Sequence, residues 1–375
     1  MNARITRATI RNYRSLAGDS QPVTLGQVTV LVGPNGSGKS SFCDALAFLA
    51  DAVNKGLPAA INNGDNRLGF AALRRQGGDK ISLRVDAELN GVNGFYELEL
   101  EGAANGYRVA KEAAEWRGSF AIKYTDEGRQ WEAGKKLEGV SIPPGETALL
   151  LPLLQGEGRF GELAETISNI VVYNLPPLEL RQSRAKTPAT PMNGHGTDWP
   201  SALAEVLDSK SKGVLVVALN RITGDITDAR VRQVGKQQVV EFLHHTKGTN
   251  AERWASADQE SDGTLRSAAL LTALIQTPSP SIIAIEEPEL AIHPGALTVI
   301  RDFIVDAQRH AQIIITTHSP ELLDHFDADY IRVVDRTRDA TRISVMDEDQ
   351  RHAVRDSLST LGEVMRHEGL KPSNT

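Results

Sequence analysis

The sequence predicts an α/β protein in which strands and helices alternate near both ends and an antiparallel segment lies between them. Near the N-terminus, a continuous β-branched run at residues 28–32 is followed by a helical pattern that begins near Lys39. Near the C-terminus, short apolar runs at residues 282–285 and 313–316 alternate with helical patterns. Runs of this kind are typical of parallel strands buried on both faces, so we expect the two ends of the chain to build one sheet.

The middle of the chain has a different pattern, in which apolar and polar residues alternate. Residues 81–89 and 96–100 alternate on either side of the turn sequence Asn90-Gly91, which predicts a β-hairpin with one buried face. Shorter strands are expected near residues 107–109, 120–124 and 130–132. These runs predict an antiparallel β meander, which is followed by a mixed, mainly helical lobe inserted between the two ends of the sheet.

Composition excludes several classes of protein. The chain has 375 residues, of which 40% are hydrophobic and 24% charged, so it can bury a sizeable core. The net charge of −7 gives no overall electrostatic footprint for nucleic acid. DNA contact would therefore need a local patch, for which the arginines at positions 4, 7, 11 and 14 are candidates. The alternative is that these arginines are solvated or lie on the nucleotide side. The single cysteine excludes an intrachain disulfide, and no apolar run is long enough for a bilayer, which predicts a cytoplasmic protein without a membrane partner.

Residues 33–40 follow the pattern G-x-x-x-x-G-K-[ST] between a predicted buried strand and a predicted helix, which is the context of a phosphate-binding P-loop. Glycines allow the backbone to fold around phosphate oxygens, and the helix N-terminus adds partial positive charge. Lys39 is expected to reach the β- and γ-phosphates, and the Ser40 hydroxyl to bind Mg²⁺. The predicted nucleotide-binding residues are Gly33, Pro34, Asn35, Gly36, Ser37, Gly38, Lys39, Ser40 and Ser41.

The nucleotide is expected to be ATP, with Mg²⁺ as its metal ion. A guanine-binding protein normally carries the sequence N-K-x-D, whereas the pair Asn54-Lys55 is followed here by Gly56-Leu57. GTP is therefore disfavoured.

Two apolar runs are predicted to end in polar groups at the edge of the sheet where α/β proteins bind ligands. Glu286 and Glu287 follow the first run; Glu286 is expected to hold the Mg²⁺ shell, and Glu287 to orient and polarise the attacking water. His318 follows the second run, and its imidazole can donate a hydrogen bond to the γ-phosphate. The predicted catalytic residues are thus Lys39, Glu287 and His318, with a solvated strand end and an incidental histidine as the alternatives.

The sequence Ser261-Asp262-Gly263-Thr264 precedes an apolar helical pattern. Taken alone, it predicts a helix N-cap, because serine at this position accepts a hydrogen bond from a backbone N–H of the first turn. Two other features favour ordinary structural interpretations. His244-His245 are expected to be exposed rather than metal ligands, and Cys43 is expected to be a buried small hydrophobe.

These four motifs occur in the order found in ATPases of the ATP-binding-cassette (ABC) type, which the chain resembles. The likeness is strongest to the branch with RecF, SMC and Rad50 heads and the ATPase half of OLD nucleases, and within it to short predicted ATPases of the AAA_21 kind. It rests on Asn12-Tyr13-Arg14-Ser15-Leu16 before the P-loop, on Ser-Asp-Gly-Thr as the signature, and on Glu-Glu-Pro-Glu-Leu-Ala-Ile-His-Pro at residues 286–294. It covers residues 1–50 and 255–335.

The resemblance implies a P-loop NTPase head of the ABC type, in which N- and C-terminal halves form one sheet, with the meander and the inserted lobe as additions. The expected segments are an N-terminal head part with Walker A (1–80), the β meander (81–135), the inserted lobe (136–255) and a C-terminal head part with the signature, Walker B and switch histidine (256–375).

It also implies a homodimer in which two ATP molecules lie between two heads. Ser261 and Gly263 would contact the γ-phosphate bound by the other subunit, and residues 290–293 would cross that interface. Arg14 is expected to contact the nucleotide, and Gln76 to be a Q-loop metal ligand, with a surface loop as the alternative for Gln76. Glu286 stands where the family usually has Asp, so its Mg²⁺ contact is expected to be shifted or water-mediated.

The function implied is an ATP-gated dimerisation switch that hydrolyses ATP, in DNA repair or in defence against foreign DNA, with a separate effector such as a nuclease. A regulatory scaffold with little hydrolysis stays open as an alternative. An ABC transporter subunit also stays open, but the separation of 222 positions from Lys39 to Ser261 disfavours it. No heptad pattern for a long coiled coil lies between those residues. The 57 residues after His318 are expected to be too few for a C-terminal Toprim nuclease.

Overall fold

The structure, a computed structural model, describes residues 3–63, 67–104, 106–116, 119–125, 130–133, 147–154, 158–188, 191–245, 251–337 and 340–373. The chain forms two compact units. Unit 1 comprises Met1–Ile170, Asp329–Ala353 and Leu370–Thr375, and unit 2 comprises Val171–Ala328 and Val354–Gly369. The division into four segments expected from the sequence stays a prediction.

The strands and helices alternate along the chain as follows. The strands are β1 (Arg4–Arg11), β2 (Val23–Thr24), β3 (Val28–Val32), β4 (Lys80–Leu89), β5 (Val92–Ala103), β6 (Gly106–Trp116), β7 (Ser119–Thr125), β8 (Gln130–Ala133), β9 (Ile170–Tyr173), β10 (Arg184–Ala185), β11 (Ile226–Val234), β12 (Gln237–His245), β13 (Glu252–Ser256), β14 (Ile282–Glu286), β15 (Gln312–Thr317), β16 (Ile331–Thr337) and β17 (Ala340–Val345). The helices are α1 (Lys39–Lys55), α2 (Leu57–Ile61), α3 (Phe70–Leu73), α4 (Gly158–Ser168), α5 (Pro177–Leu180), α6 (Trp199–Leu207), α7 (Lys212–Thr223), α8 (Asp262–Ile275), α9 (Leu297–Ala307), α10 (Pro320–Leu323), α11 (Glu348–Arg355) and α12 (Leu361–His367), and short 3₁₀ helices lie at Leu151–Leu154, Ala257–Gln259, Pro294–Ala296 and Ala328–Tyr330.

Unit 1 contains a seven-stranded antiparallel sheet in the order β2-β1-β4-β5-β6-β7-β8. The predicted hairpin is present as β4 and β5, in which Leu83 lies opposite Leu98. Every second residue of β4 is buried, because successive side chains of a strand point to opposite faces. The predicted meander is therefore confirmed.

The strand that precedes the P-loop lies in unit 1. All five residues of β3 are buried, as expected for a β-branched run that is covered on both faces. On one side β3 pairs in parallel with β16, and β16 pairs with β17 in an antiparallel ladder. Because β3 and β16 come from opposite ends of the chain, the prediction that both ends contribute to one sheet is confirmed.

Unit 2 carries the other parallel strands. β14 pairs in parallel with β15, and β9 lies beside β14. A separate antiparallel sheet is formed by β10, β11, β12 and β13. Ten of the fourteen residues of α8 are buried, which agrees with its apolar sequence. Among the described helices, none is long and apolar enough to cross a membrane.

Two residues with ordinary structural interpretations have different outcomes. Cys43 is fully buried on α1, as predicted. The expectation that His244 is exposed is wrong, because its ring is half-buried and both of its nitrogens contact carboxylates. No cluster of three or more His, Cys, Asp and Glu side chains that could hold a metal ion occurs in the part of the chain that the structure describes.

Glu112 is a buried carboxyl group in the core of unit 1. Its oxygens accept hydrogen bonds from the Leu150 and Leu151 amides, each at 2.8 Å, and from the Tyr96 hydroxyl at 3.1 Å. Burial raises the pKa of Glu112 to about 7, although these three hydrogen bonds act in the opposite direction. The group thus binds its proton more tightly in the folded chain than in the unfolded chain.

We expect this carboxyl to make the folded state less stable as pH rises from about 4.5 to about 7. A raised pKa means that the folded state holds the proton longer, so the stabilisation present at low pH is lost through this window. At ~1.4 kcal/mol per pKa unit, the loss is on the order of 3 kcal/mol. Urea unfolding at pH 5 and pH 8 measures it, and Glu112→Gln is expected to reduce the difference. The control Glu115→Gln should keep the full difference in stability between the two pH values. A full difference in Glu112→Gln as well would contradict this assignment.

Candidate nucleotide-binding site

The P-loop in unit 1 has a backbone that glycine alone adopts easily. Gly36 and Gly38 have φ angles of 77° and 109°, in the left-handed region. A Cβ atom at Gly38 would lie 2.1 Å from Oγ1 of Thr341, so no other residue fits there. A Cβ atom at Gly36 would have no heavy atom within 4 Å, which leaves that side of the loop open.

The N-terminus of α1 is suited to an anion. Its N-cap residue, Gly38, provides no side-chain acceptor, and its first turn contains no acidic residue. The first N–H groups of a helix lack intrahelical partners and carry the positive end of the helix dipole. The Ser37 hydroxyl beside them is buried and has no hydrogen-bond partner among the residues that the structure describes. The main-chain donors at the start of α1 and the Ser37 hydroxyl suit the phosphates of ATP.

Lys39 lies over the loop that it belongs to. Its Nζ donates to the carbonyl oxygens of Gly33 at 2.7 Å and Pro34 at 3.1 Å, and the residue is 5% exposed. Pro34, Asn35 and Ser40 are exposed around it. The structure therefore brings the predicted phosphate-binding residues together, with the lysine already at the loop.

Thr341 holds the P-loop in shape, and sequence analysis did not identify it. Its hydroxyl donates to the Ser37 carbonyl at 2.6 Å and shares a hydrogen bond with the Ser15 hydroxyl at 2.8 Å. Ser15 in turn contacts the Ser41 hydroxyl at 3.0 Å, and the Thr341 amide donates to the Ser15 carbonyl at 2.7 Å. Thr341 is fully buried, so its contacts exclude water. The segment before the P-loop and β17 thus support the loop jointly.

Replacement of Thr341 with valine is expected to weaken ATP binding about tenfold. The two side chains have the same shape, but valine leaves the buried Ser37 carbonyl without its donor, at a cost of ~1–3 kcal/mol. Titration with a fluorescent ATP analogue measures the affinity. Thr341→Ser keeps the hydroxyl and is the matched control. Equal affinities in Thr341→Val and the wild type would show that the hydroxyl does not support the loop.

Arg14 is tied to the P-loop helix. Its guanidinium lies 3.0 Å from the Asp44 carboxylate on α1, which also accepts from the Tyr13 hydroxyl at 2.6 Å and from Nε of the buried Arg67 at 3.0 Å. Burial, followed by the charge of Asp44, raises the pKa of Tyr13 well above its usual value. Contact of Arg14 with nucleotide stays a prediction.

Gln76 is exposed in a turn of unit 1. That turn is anchored next to the segment before the P-loop, because the Arg75 amide donates to the Asn12 carbonyl at 2.8 Å and its guanidinium to the Ser15 carbonyl at 3.1 Å. A role for Gln76 in metal binding stays a prediction.

Two of the N-terminal arginines line a groove of about 660 Å³ in unit 1. Arg4 lies 3.7 Å from Glu88, and Arg84 in the same groove stacks on the Phe95 ring at 3.8 Å. None of the predicted nucleotide-binding residues lines this groove.

The Walker B strand in unit 2 ends where the sequence predicts. Glu286 is the last residue of β14 and lies opposite Thr316 of β15. Glu287 follows with a φ of 46°, unusual for a residue with a side chain, and its amide donates to the Thr316 carbonyl at 2.9 Å. This turn away from the strand separates the directions of the two carboxylates. Residues other than glycine adopt such φ angles where surrounding contacts hold the backbone in place, often at functional sites.

Glu287 and His318 meet at the ends of two neighbouring strands, as their positions in the sequence predict. Nδ1 of His318 lies 3.2 Å from Oε1 of Glu287 and 3.9 Å from Oε1 of Glu289. Glu289, which sequence analysis left without a role, also accepts from the Thr317 hydroxyl at 2.6 Å. Its side chain is 10% exposed, whereas Glu287 and His318 are 25% and 38% exposed. The accessible pair can reach a ligand, and Glu289 holds the turn that carries the histidine.

The signature residues begin α8. The Ser261 hydroxyl accepts from the Thr264 amide at 3.1 Å, so the predicted N-cap is confirmed. A Cβ atom at Gly263 would lie 2.3 Å from the Ala291 carbonyl oxygen. Only glycine therefore allows the start of α8 to approach the loop at residues 290–293, where Leu290 is 41% exposed.

Arg266 connects the signature helix with the Walker B turn. Its guanidinium donates to the Glu287 carbonyl at 3.3 Å and to the Leu175 carbonyl at 3.2 Å. Burial lowers the pKa of Arg266, while Glu287 and Glu289 act in the opposite direction. The arginine thus places a positive charge next to both carboxylates.

The donor atoms proposed for a magnesium ion are hard oxygens, which Mg²⁺ prefers. They are the Ser40 hydroxyl, exposed in the first turn of α1, and the Glu286 carboxylate at the end of β14. Each oxygen by itself suits Mg²⁺, and the binding of one ion by both stays a prediction.

The fold and these motifs define an ABC-type P-loop ATPase of the SMC, RecF and Rad50 branch. Residues 28–140 and 199–324 match the AAA_21 family, described as "AAA domain, putative AbiEii toxin, Type IV TA system". Since these ranges cover more than half of the chain, the chain belongs to this family.

Individual relatives agree with this assignment. The chain is 31% identical over 132 residues to the chromosome partition protein Smc of Synechocystis sp., over 33% of this chain and about a tenth of that protein. Its fold is similar to that of an SmcHead bound to the C-winged helix domain of ScpA, with a TM-score of 0.61 and 13% identity over 92% of this chain and 99% of that one. It is also similar to an Smc head domain with an extended coiled coil bound to the C-terminal domain of ScpA, from Pyrococcus furiosus, with a TM-score of 0.54 and 11% identity over 95% and 99% of the two chains. At these identities the likeness establishes the fold alone.

Proposed function

We propose that this protein binds and hydrolyses ATP, forms a homodimer while ATP is bound, and separates after hydrolysis. The observation that carries the proposal is the pair formed by Glu287 and His318, whose reactive atoms lie 3.2 Å apart. A protein that only bound ATP would not need this pair. The open helix N-terminus after the P-loop supplies the binding half of the proposal.

In the proposed reaction, Glu287 orients a water molecule and accepts its proton as the water oxygen attacks the γ-phosphorus. The bond between the γ-phosphorus and the bridging oxygen then breaks, which yields ADP and phosphate. His318, whose Nδ1 lies 3.2 Å from Oε1 of Glu287, donates a hydrogen bond to the γ-phosphate in this proposal. Lys39 and the first N–H groups of α1 bind the phosphate oxygens, where negative charge is concentrated.

When bound, Mg²⁺ would neutralise phosphate charge, and Ser40 and Glu286 would hold it. Glu286 carries one methylene more than the aspartate usual at this position, so its carboxylate extends further from β14.

The dimer part of the proposal rests on the signature. In the resemblance to ABC-type heads, Ser261 and Gly263 serve the nucleotide of the other subunit. Ser261 and Leu290 are exposed, as residues that contact a partner must be before assembly. We also propose a role in DNA repair or in defence against foreign DNA with a separate effector. The toxin–antitoxin description of the family supports the defence alternative.

A single-turnover ATPase assay tests the enzymatic part. We expect turnover that requires Mg²⁺ and stops when EDTA is added. The same assay with and without duplex DNA tests whether DNA stimulates the reaction. Tight ATP binding without measurable hydrolysis in either condition would favour a regulatory scaffold instead.

A further inference from the structure

We propose that His244 and Arg181 are positioning residues that hold the signature turn at Ser261 ready to engage the nucleotide of a partner subunit. The inference rests on the proposed function, because the signature has a task only in an ATP-bound dimer. Neither residue belongs to the motifs of the site. Both contact residues immediately beside Ser261.

His244 fixes the residue before Ser261. Its Nε2 lies 2.7 Å from Oε1 of Glu260, and its Nδ1 lies 2.9 Å from Oδ2 of Asp225. The Glu260 side chain is 6% exposed and that of His244 is 20% exposed, so water screens the contact between them only weakly. The ring thus connects the end of α7 with the turn before α8.

Arg181 fixes the same turn from another direction. Its Nη2 donates to the Glu260 carbonyl at 2.7 Å, and its Nη1 lies 2.7 Å from the Asp262 carboxylate. One guanidinium therefore contacts the residues on both sides of Ser261. His244, on the Glu260 carboxylate, adds a second restraint before the serine.

The contacts of His244 require both ring nitrogens to donate. Ionised carboxylates only accept, and neutral imidazole has a single N–H group. The imidazolium form satisfies both carboxylates, whereas the neutral ring leaves one lone pair facing a carboxylate oxygen. Although burial lowers the pKa of His244, its hydrogen bonds to Asp225 and Glu260 outweigh burial and raise it above its usual value. Among the described residues of its sheet, the other charged residue opposite His244 is Arg253 of β13, which is exposed.

The pH dependence follows from the direction of this shift. With a raised pKa, both contacts are present at low pH, and one is lost as pH rises through the pKa of the folded state. ATP-driven dimerisation should therefore weaken as pH rises through the pKa of His244 in the folded state. A merely structural histidine would not link dimerisation to pH in this way.

The experiment compares ATP-driven dimerisation of Glu287→Gln alone and combined with His244→Gln, by light scattering between pH 6 and pH 9. The parent variant, Glu287→Gln alone, is expected to dimerise more weakly at high pH than at low pH. His244→Gln should dimerise about tenfold more weakly at pH 6 and lose the pH dependence, since glutamine does not titrate and its two N–H groups share one nitrogen, which cannot replace two separate ring nitrogens. Binding of a fluorescent ATP analogue, which depends on the P-loop, should be unchanged and reports that the variant is folded. His245→Gln, at the next residue of β12, is the matched control.

The outcomes separate this inference from the proposed function. Dimerisation of His244→Gln equal to that of the parent at every pH would overturn the inference alone. A parent that stays monomeric with ATP would overturn the proposed function, and the inference with it. Should His244→Gln fail to fold, Asp225→Asn gives the decision, because loss of one carboxylate lowers the pKa of His244 and moves the pH midpoint downwards. An unmoved midpoint would contradict the inference.

Discussion

Replacement of Lys39 with alanine is expected to abolish ATP binding and turnover, with a decrease of about a hundredfold or more in single-turnover rate. Nζ of Lys39 is the only side-chain cation that donates to the P-loop carbonyls of Gly33 and Pro34 among the described contacts. On binding, the same ammonium group would contact phosphate oxygens in a buried place, where charge–charge attraction is much stronger than in water. Alanine supplies no replacement.

The measurement combines titration with a fluorescent ATP analogue and a single-turnover assay. Lys55→Ala is the matched control, because Lys55 lies at the other end of α1 and pairs with Asp51 at an exposed position. We expect Lys55→Ala to bind and hydrolyse ATP as the wild type does. Unchanged analogue binding in Lys39→Ala would contradict the assignment of the P-loop.

Glu287→Gln is expected to bind ATP and to hydrolyse it about a hundredfold to a thousandfold more slowly. Glutamine has nearly the same shape, so the turn after β14 should persist, but its amide cannot accept the proton of the attacking water. It also replaces the carboxylate oxygen that lies 3.2 Å from Nδ1 of His318 with an amide group. Because binding depends on the P-loop in this account, the affinity for ATP should change little.

Single-turnover hydrolysis and analogue titration separate these two effects. Glu321→Gln is the control, since it removes an exposed carboxylate of α10 that pairs with Arg366 and lies three residues after His318. It is expected to hydrolyse ATP normally. If Glu287→Gln turns over ATP within a few-fold of the wild-type rate, Glu287 is not the general base, and another residue has that role.

Local patterns in the sequence were sufficient for much of the fold. The P-loop strand, the helical pattern that begins near Lys39 and the β4–β5 hairpin are each defined by the spacing of apolar residues within a short stretch of sequence. The proximity of Glu287 and His318 could also be predicted, because both follow buried parallel strands, and the ends of such strands meet at one edge.

The supporting residues could not be predicted, since they depend on contacts between distant segments. Thr341 donates to the carbonyl of a residue 304 positions earlier, and nothing near it in the sequence indicates a P-loop. His244 and His245 stand at the end of a strand-like run and are followed by polar residues, a pattern typical of exposure. Its two carboxylate partners, 19 and 16 positions away, become neighbours only when α7, β12 and the turn before α8 pack together.

The central claim is that ATP joins two copies of this chain and that hydrolysis separates them. Size-exclusion chromatography with light scattering on Glu287→Gln, with and without ATP and Mg²⁺, tests it most directly. We expect a monomer without nucleotide and a persistent dimer of about twice the 40.6 kDa chain mass with ATP. A monomer under both conditions would contradict the claim.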